Sequence, residues 1–480
     1  MKKITIGLGL LIMSSCSKYL DKSPDSTWTE LNTPQKVSQL LGTAYPQANY
    51  IVFCEAMSDN VTDKGVGQVE RTNEDPYFFD VVQNINEDSP EFYWTACYKA
   101  IAACNNALKA CERATDTSLY QAQKGEALVA RAYAHFMLVT FFSKFYDPAT
   151  AAKDPGIPYV TEPETVVFQK YDRGTVAYVY EMIEKDLLAG LPLIDDESYA
   201  VPHYHFNKSA AYAFATRFYL FKKDYEKVVE FANRTFPNND LAGYIRPWNT
   251  TYSAMSPQLL YETYARATEK CNLLLAETQS LVGRYNGRYR FGMDYALNRQ
   301  ILAFNVTNGR WVYPVYYYGT SDYFVPKLSE YFVKASVNAT IGDPYVMVPL
   351  FTTEEVLFNR AEANLYLKNN AAVLSDLNLF ASKRITNYDA ATHAVTLAKA
   401  KAFYGTGTSD MQALLNTILD FKRAEFVQEG HRWFDLQRYG VSVTHADVRG
   451  NKTTVAAGDE RRVLQIPLSA QTSGLTLNPR

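Results

Sequence analysis

The densest set of ionisable side chains in this 480-residue chain runs from Arg423 to Arg438: Arg423, Glu425, Glu429, His431, Arg432, Asp435 and Arg438, set among large aromatics. Glu425 and Glu429 are four apart and share one helix face. That spacing would let two carboxylates divide general-acid and general-base work, or surround a metal ion together with His431 and Asp435. The three arginines in the same stretch favour another use. Carboxylates one turn apart with guanidinium groups at hand form ion-pair networks that pin a corner of the chain, and such networks imitate functional clusters. Elsewhere the chemical inventory is thin, with no G-x-S-x-G elbow, P-loop, H-E-x-x-H or paired-cysteine zinc spacing. His203-Tyr204-His205 could offer two imidazoles from one face of an extended segment, but no third ligand is near and a helix start follows. Asp195-Asp196 follows a proline-containing turn and reads as capping or solvating it. An enzyme would have to draw its catalytic pair from the irregular region, from Asp294 or Asp322. The expectation is a protein that binds, with no catalytic residue, cofactor or metal.

What remains is aromatic. The chain holds 36 Tyr and 26 Phe against 5 Trp, and a tyrosine ring packs or stacks while its hydroxyl stays hydrogen-bonded. From Val282 to Phe332 the helical periodicity fades, and GRYNGRYRFG and NGRWVYPVYYYGTSDYFVP read as loops and short strands with exposed rings. A sugar lays its C–H face on such rings while planar polar side chains read its hydroxyls. The candidate platform is Trp311, Tyr313, Tyr316 and Tyr318, supported by Tyr285, Tyr289, Arg288 and Asn308. Strand alternation from Trp311 to Tyr318 would put half of these rings in the core. A second candidate loop, Asp75-Pro76-Tyr77-Phe78-Phe79, suits a ligand or a partner equally.

The elements that must position these residues are mostly helices. Ile418 to Val427 carries apolar residues at helical spacing, Gly430 stops it, and Trp433 to Tyr439 starts a second short amphipathic run, giving a helix, a sharp corner and a helix. SPEFYWTACYKAIAACNNALKAC predicts a helix from about Glu91 to Arg113, paired with LYQAQKGEALVARAYAHFMLVTFFSKFYD. Phe206 to Asn233 and Thr353 to Arg384 read as two further helix-turn-helix units of tetratricopeptide type, and an amphipathic helix is expected around Gln258 to Leu281. Cys97, Cys104 and Cys111 recur every seven residues on the first of these helices. At about 1.5 Å per residue their neighbours stand roughly 10 Å apart, beyond disulfide reach, so they are small core residues.

EFVQEGHRWFDLQRYG resembles the C-terminal signature of the SusD/RagB family, the surface nutrient-binding lipoproteins of Bacteroidota, in which E-L-x-x-E-G-x-R-x-x-D-L-x-R-x-G recurs. Glu425, Glu429, Gly430, Arg432, Asp435, Leu436, Arg438 and Gly440 fall in register, and Phe421 stands where the family usually has a glutamate. Trp94, Tyr98, Ile101 and Asn105, then Gly125-Glu126-Ala127 with Arg131-Ala132-Tyr133, Gly156 to Val160, Arg360-Ala361-Glu362-Ala363 and Asn478-Pro479 match family patterns in family order, with Gln471 replacing a glutamate near the end. The resemblance implies a mostly α body, an α-α superhelix of tetratricopeptide-like helix pairs with an irregular ligand-binding excursion. It divides the chain into residues 16–240 and 241–480, with 282–350 the variable part, packed as one unit. It also implies a surface-exposed outer-membrane lipoprotein that captures oligosaccharide or polysaccharide and delivers it to a SusC-like TonB-dependent transporter. Relatives such as RagB serve peptide uptake, so peptide is the alternative ligand.

The N-terminus agrees with that address. Lys2 and Lys3 precede an apolar run from Ile4 to Met13, too short to span a bilayer, and Met13-Ser14-Ser15-Cys16 resembles a bacterial lipobox. Residues 1–15 are then a signal peptide and Cys16 the lipidated first residue, held to the membrane by its acyl chains. The formal charge of -3 and the absence of a basic patch exclude a nucleic-acid partner. Two rivals from other classes are a lipid-anchored glycosidase and a pure tetratricopeptide scaffold.

Overall fold

A computed structural model describes residues 31–164, 166, 169–334 and 336–480. The expected signal peptide and Cys16 lie outside the described residues. Helices dominate, and they arrive in pairs: α1 (Pro90–Arg113) with α2 (Gln121–Phe142), which also packs on α3 (Val176–Gly190); then α4 (Lys208–Lys222) with α5 (Tyr225–Arg234). Four of these five helix starts, all but that of α2, are capped by a polar side chain. Ser89 Oγ accepts from the Phe92 amide and Asn207 Oδ1 from the Ala210 amide, satisfying donors that have no partner within the helix. Between α4 and α5 the chain reverses on Lys223, which takes the left-handed conformation at φ 65°.

The Gly125-Glu126-Ala127 motif has a packing reason. A Cβ on Gly125 would fall 2.8 Å from Leu193, and one on Gly190 would fall 2.8 Å from the Gly125 carbonyl. Two glycines therefore set how closely α2 and α3 approach. Cys97, Cys104 and Cys111 are all buried and free, as their spacing requires, and burial raises their thiols above the ordinary range.

The helix expected around Gln258 to Leu281 is not there. A short helix, Pro257–Tyr264, ends early, and β1 (Asn272–Gln279) follows as a strand. Its run from Asn272 to Ala276 is buried at every position, and a continuous apolar run has no period by which to separate strand from helix. β1 pairs antiparallel with β5 (Gly342–Thr352), whose other side carries β4 (Glu330–Lys334). Between them lie the short helix α6 (Tyr295–Leu302) and a hairpin of β2 (Tyr316–Tyr318) and β3 (Asp322–Phe324).

The chain then returns to helix pairs with α7 (Thr353–Tyr366) and α8 (Asn370–Arg384), continues to α9 (Asp410–Glu425) and α10 (His431–Arg438), and follows these with a hairpin of Val443–Ala446 and Lys452–Val455. The corner between α9 and α10 is as expected in outline but differs in detail. α9 already stops at Glu425, Gln428 takes φ 65°, and Gly430, at φ 78°, begins α10 instead of ending α9. A side chain on Gly430 would also stand 3.1 Å from Cys54 Cβ. The corner is held from across the fold by the half-buried Glu55, whose carboxylate accepts from the Gln428 and Gly430 amides.

Candidate ligand site

The charged cluster at the corner is structural in its geometry. The buried Glu425 carboxylate receives Arg384 through two bonds, 2.6 and 2.9 Å, and the Tyr313 hydroxyl at 2.5 Å. Burial alone would raise its pKa, yet the Arg384 guanidinium holds it down at about 2. Glu429 accepts from Lys327 at 2.6 Å and Tyr264 at 2.9 Å, and Asp435 from Lys422 at 2.7 Å. Arg432 reaches Asp59 with two 2.8 Å bonds, and Arg438 binds Glu362. The glutamates of the motif thus find cations from distant segments, not the neighbouring arginines. Burial first, then nearby cations, push the His431 pKa well down, so it lies neutral and stacked on Phe426 with ring centroids 4.4 Å apart. Among the described residues no group of three His, Cys, Asp or Glu is placed to hold a metal. His205 Nδ1 lies 2.7 Å from Glu126, within the protein's own network.

The aromatic candidates separate into two sets. Trp311 is buried, at 5% exposure, edge-on to Phe421 and Phe380. Phe421, the departure from the family glutamate, is thus part of an aromatic cluster with Trp311. Tyr313 is buried on Glu425, and Tyr289 is buried with an unpartnered hydroxyl. These three are core residues, not an exposed platform. The cause is non-local: the backbone at 310–312 bonds to the end of α8, with the Val312 amide on the Arg384 carbonyl, so residues 311 and 313 face inward. Asn308 is exposed, and its φ of 61° accounts for its type as a turn residue. The Asp75–Phe79 loop is also corrected. Most of it belongs to a short helix, Arg71–Tyr77; Tyr77 and Phe79 are buried, and Tyr77 stacks on His445 at 4.1 Å.

Tyr318, Tyr316, Tyr285 and Arg288 stay at or near the surface. Tyr318 stacks on Phe324 at 5.0 Å, and the exposed Arg288 guanidinium lies 4.4 Å above the Tyr318 ring. The opposite face of the hairpin carries rings outside the candidate set. Tyr317, 67% exposed, is the cross-strand partner of Tyr323 with centroids 6.0 Å apart, and Tyr295 at the start of α6 lies 5.8 Å from Tyr323. Phe304 beyond α6 is exposed too, with Arg299 over its ring. Parity is the signal that could have found Tyr317, because neighbours in a strand point to opposite faces and Tyr316 and Tyr318 share the other one.

Two chain segments build this surface. The 62–68 loop pairs with 288–292 through Thr62 opposite Gly292 and Asp63 opposite Phe291. Arg290 clamps Asp63 with bonds of 2.7 and 2.8 Å. Lys64 bridges Asp322 at 2.5 Å and the Gly287 carbonyl at 2.9 Å, tying the loop to the hairpin. Asp294 caps α6 by accepting from the Leu297 amide. The two carboxylates a hydrolytic reading would need are therefore a helix cap and half of an ion pair.

Comparison with known proteins identifies the family. A family model described as starch-binding and associating with the outer membrane matches residues 18–220, and the SusD family model matches 307–467. The chain belongs to the SusD family. Its fold recurs in a putative sugar binding protein from Bacteroides vulgatus, at 22% identity and TM-score 0.71, covering 94% of this chain and 99% of that one. It recurs in a SusD superfamily protein from Bacteroides thetaiotaomicron, at 20% identity and TM-score 0.67, covering 93% and 100%. A laminarin binding SusD-like protein superposes at 16% identity and TM-score 0.58, over 93% and 99%. At these identities the likeness establishes the fold. No curated protein matches the chain significantly. The mostly α body and the helix pairs expected of a SusD-like chain are what the structure contains.

The root of the excursion carries a pH-sensitive anchor. Asp88 is buried and accepts from Ser280 Oγ at 2.5 Å and the Leu281 amide at 2.8 Å, and burial pushes its pKa up to about 7. A carboxyl raised in the native state keeps its full stabilising contribution below the unfolded pKa near 3.8 and loses it as pH climbs through 7. Relative to Asp88→Asn, the wild type should lose stability on the order of 1 kcal/mol for each pH unit in that window. Paired thermal melts from pH 5 to pH 8 measure this, and parallel curves would show that Asp88 does not titrate there.

Proposed function

We propose that this SusD-family protein is a cell-surface, lipid-anchored receptor that captures oligosaccharides on the Tyr295–Tyr317–Tyr323 surface and delivers them to a SusC-like TonB-dependent transporter. The observation that carries the reading is a surface patch in which the exposed Tyr317 and Tyr295 flank the half-buried Tyr323 on a short hairpin and helix, held by the Arg290–Asp63 and Lys64–Asp322 ion pairs. The C–H face of a sugar packs on Tyr317, and its hydroxyls meet the polar edge of the patch, with Arg288, Tyr285, Tyr316 and Tyr318 on the neighbouring hairpin face as a further contact area. Nothing in this mechanism makes or breaks a bond. The family description of starch binding at the outer membrane and the laminarin-binding relative support a glycan ligand. Residues 16–240 and 241–480 act as one unit in this reading, supported by the buried Arg217–Glu355 pair and the Asn207 bond to the Leu273 carbonyl. A lipid on Cys16 would tether that unit.

The test is calorimetry or affinity electrophoresis of the purified protein against starch, laminarin, other polysaccharides and peptide mixtures. Saturable retention without release of reducing ends is expected. Tyr317→Ala should weaken it by about 1–2 kcal/mol, roughly five- to thirtyfold, as loss of a central aromatic anchor does. Binding of peptides with no glycan retained would replace the ligand class, and new reducing ends would replace binding by catalysis.

A further inference from the structure

A cleft of about 640 Å³ shares no lining residue with the tyrosine hairpin. It opens where helices stop. α2 ends at Phe142, α4 at Lys222, α7 at Tyr366 and α10 at Arg438, and the last residues of these helices or the segments just beyond them line the cleft. Small-ligand sites span about 300–1,000 Å³, so the volume is that of a binding site.

One wall is phenolic. Tyr225 and Tyr366 lie parallel, within 5°, with centroids 4.3 Å apart, and the Tyr366 and Tyr439 hydroxyls meet at 3.4 Å. Tyr439 donates to the buried Glu362, which Arg438 also binds, so this wall is braced from behind. In the same lining, the side chains of Lys223 and Glu460 are exposed and make no hydrogen bond or ion pair among the described residues. The lining holds Lys144, Lys223, Arg438 and Arg462 against Asp147, Asp459 and Glu460; Arg438 is bound to Glu362, Arg462 to backbone carbonyls and Asp459 to Arg461, which leaves Lys144 and Lys223 against Asp147 and Glu460 as the exposed charges. A net charge on a ligand would find no matching excess, whereas rings with apolar faces and hydroxylated edges suit an uncharged, hydroxyl-rich molecule.

We propose that this cleft is a second carbohydrate site, which takes the end of a neutral oligosaccharide against the Tyr225–Tyr366 wall with hydroxyls on Lys223 and Glu460. The ligand class rests on the glycan-binding reading above, and the site is additional to the hairpin surface. Isothermal titration of the full-length protein with maltohexaose and with laminarihexaose tests it. Two binding events are expected for an oligosaccharide that binds. Tyr366→Ala should weaken one of them at least tenfold and leave the other, and Tyr317→Ala should do the reverse. Glu460→Trp, on an exposed turn away from the helical core, should block the cleft and reproduce the loss should Tyr366→Ala fail to fold.

If Glu460→Trp leaves the wild-type isotherm intact while Tyr317→Ala weakens it, the cleft is not a site and the hairpin reading stands. If neither oligosaccharide gives heat with any variant, both readings fall. Competition at the cleft by a charged peptide, with no oligosaccharide effect of Glu460→Trp, would overturn the neutral-sugar assignment.

Discussion

Arg384→Ala is expected to lower stability by about 3–5 kcal/mol, because it strands two buried carboxylates without their cation. Arg384 has no exposed surface and holds Glu425 through two bonds, Glu354 at 2.9 Å and the Arg246 carbonyl at 2.8 Å. Domains of ordinary stability have about 5–15 kcal/mol in all, so this single change removes a large fraction of it. Urea titration followed by circular dichroism measures the loss. Arg384→Lys keeps the charge but not the planar fork and should fall between the two. The same pair predicts an acid limit. Glu425, depressed in the native state, stabilises the fold above its unfolded pKa near 4.5 and loses that contribution as pH falls towards 2. A variant melting with the wild-type midpoint would show that the corner is held by packing alone.

The second large effect separates two rings of one aromatic run, Trp311 and Tyr317. Trp311→Ala should cost about 3–5 kcal/mol in stability, since it opens a cavity between Phe380 and Phe421. Its folded fraction should bind glycan like the wild type. Tyr317→Ala should do the opposite, with little change in melting temperature and most of the affinity lost. Thermal melts and titrations on both variants decide it. If Trp311→Ala abolishes binding while its melting temperature holds, the ligand surface lies elsewhere on this segment.

The helix pairs were legible because their information is local. Ser89 and Asn207 stand at helix starts, and the apolar spacing from Glu91 to Arg113 lies within one residue of the helix Pro90–Arg113. The stop at Glu425 was not legible, because Gly430 is a stronger local signal than Gln428, and only the distant Glu55 explains why both residues turn. Asn272–Gln279 was mistaken for helix because a strand buried at nearly every position shows no alternation.

By itself the sequence determined the family, the α-helical body, the irregular region in which a site could sit, and the structural character of the corner charges. Motif spacing and helical period are written along the chain. Which ring meets solvent was decided only by tertiary structure. Trp311 and Tyr317 belong to one aromatic run, yet the bond from the Val312 amide to Arg384 turns the first into the core, while pairing of Tyr317 with Tyr323 turns the second outward. Both contacts join residues remote in sequence or across a turn, and strand parity converts each register into an inside or an outside.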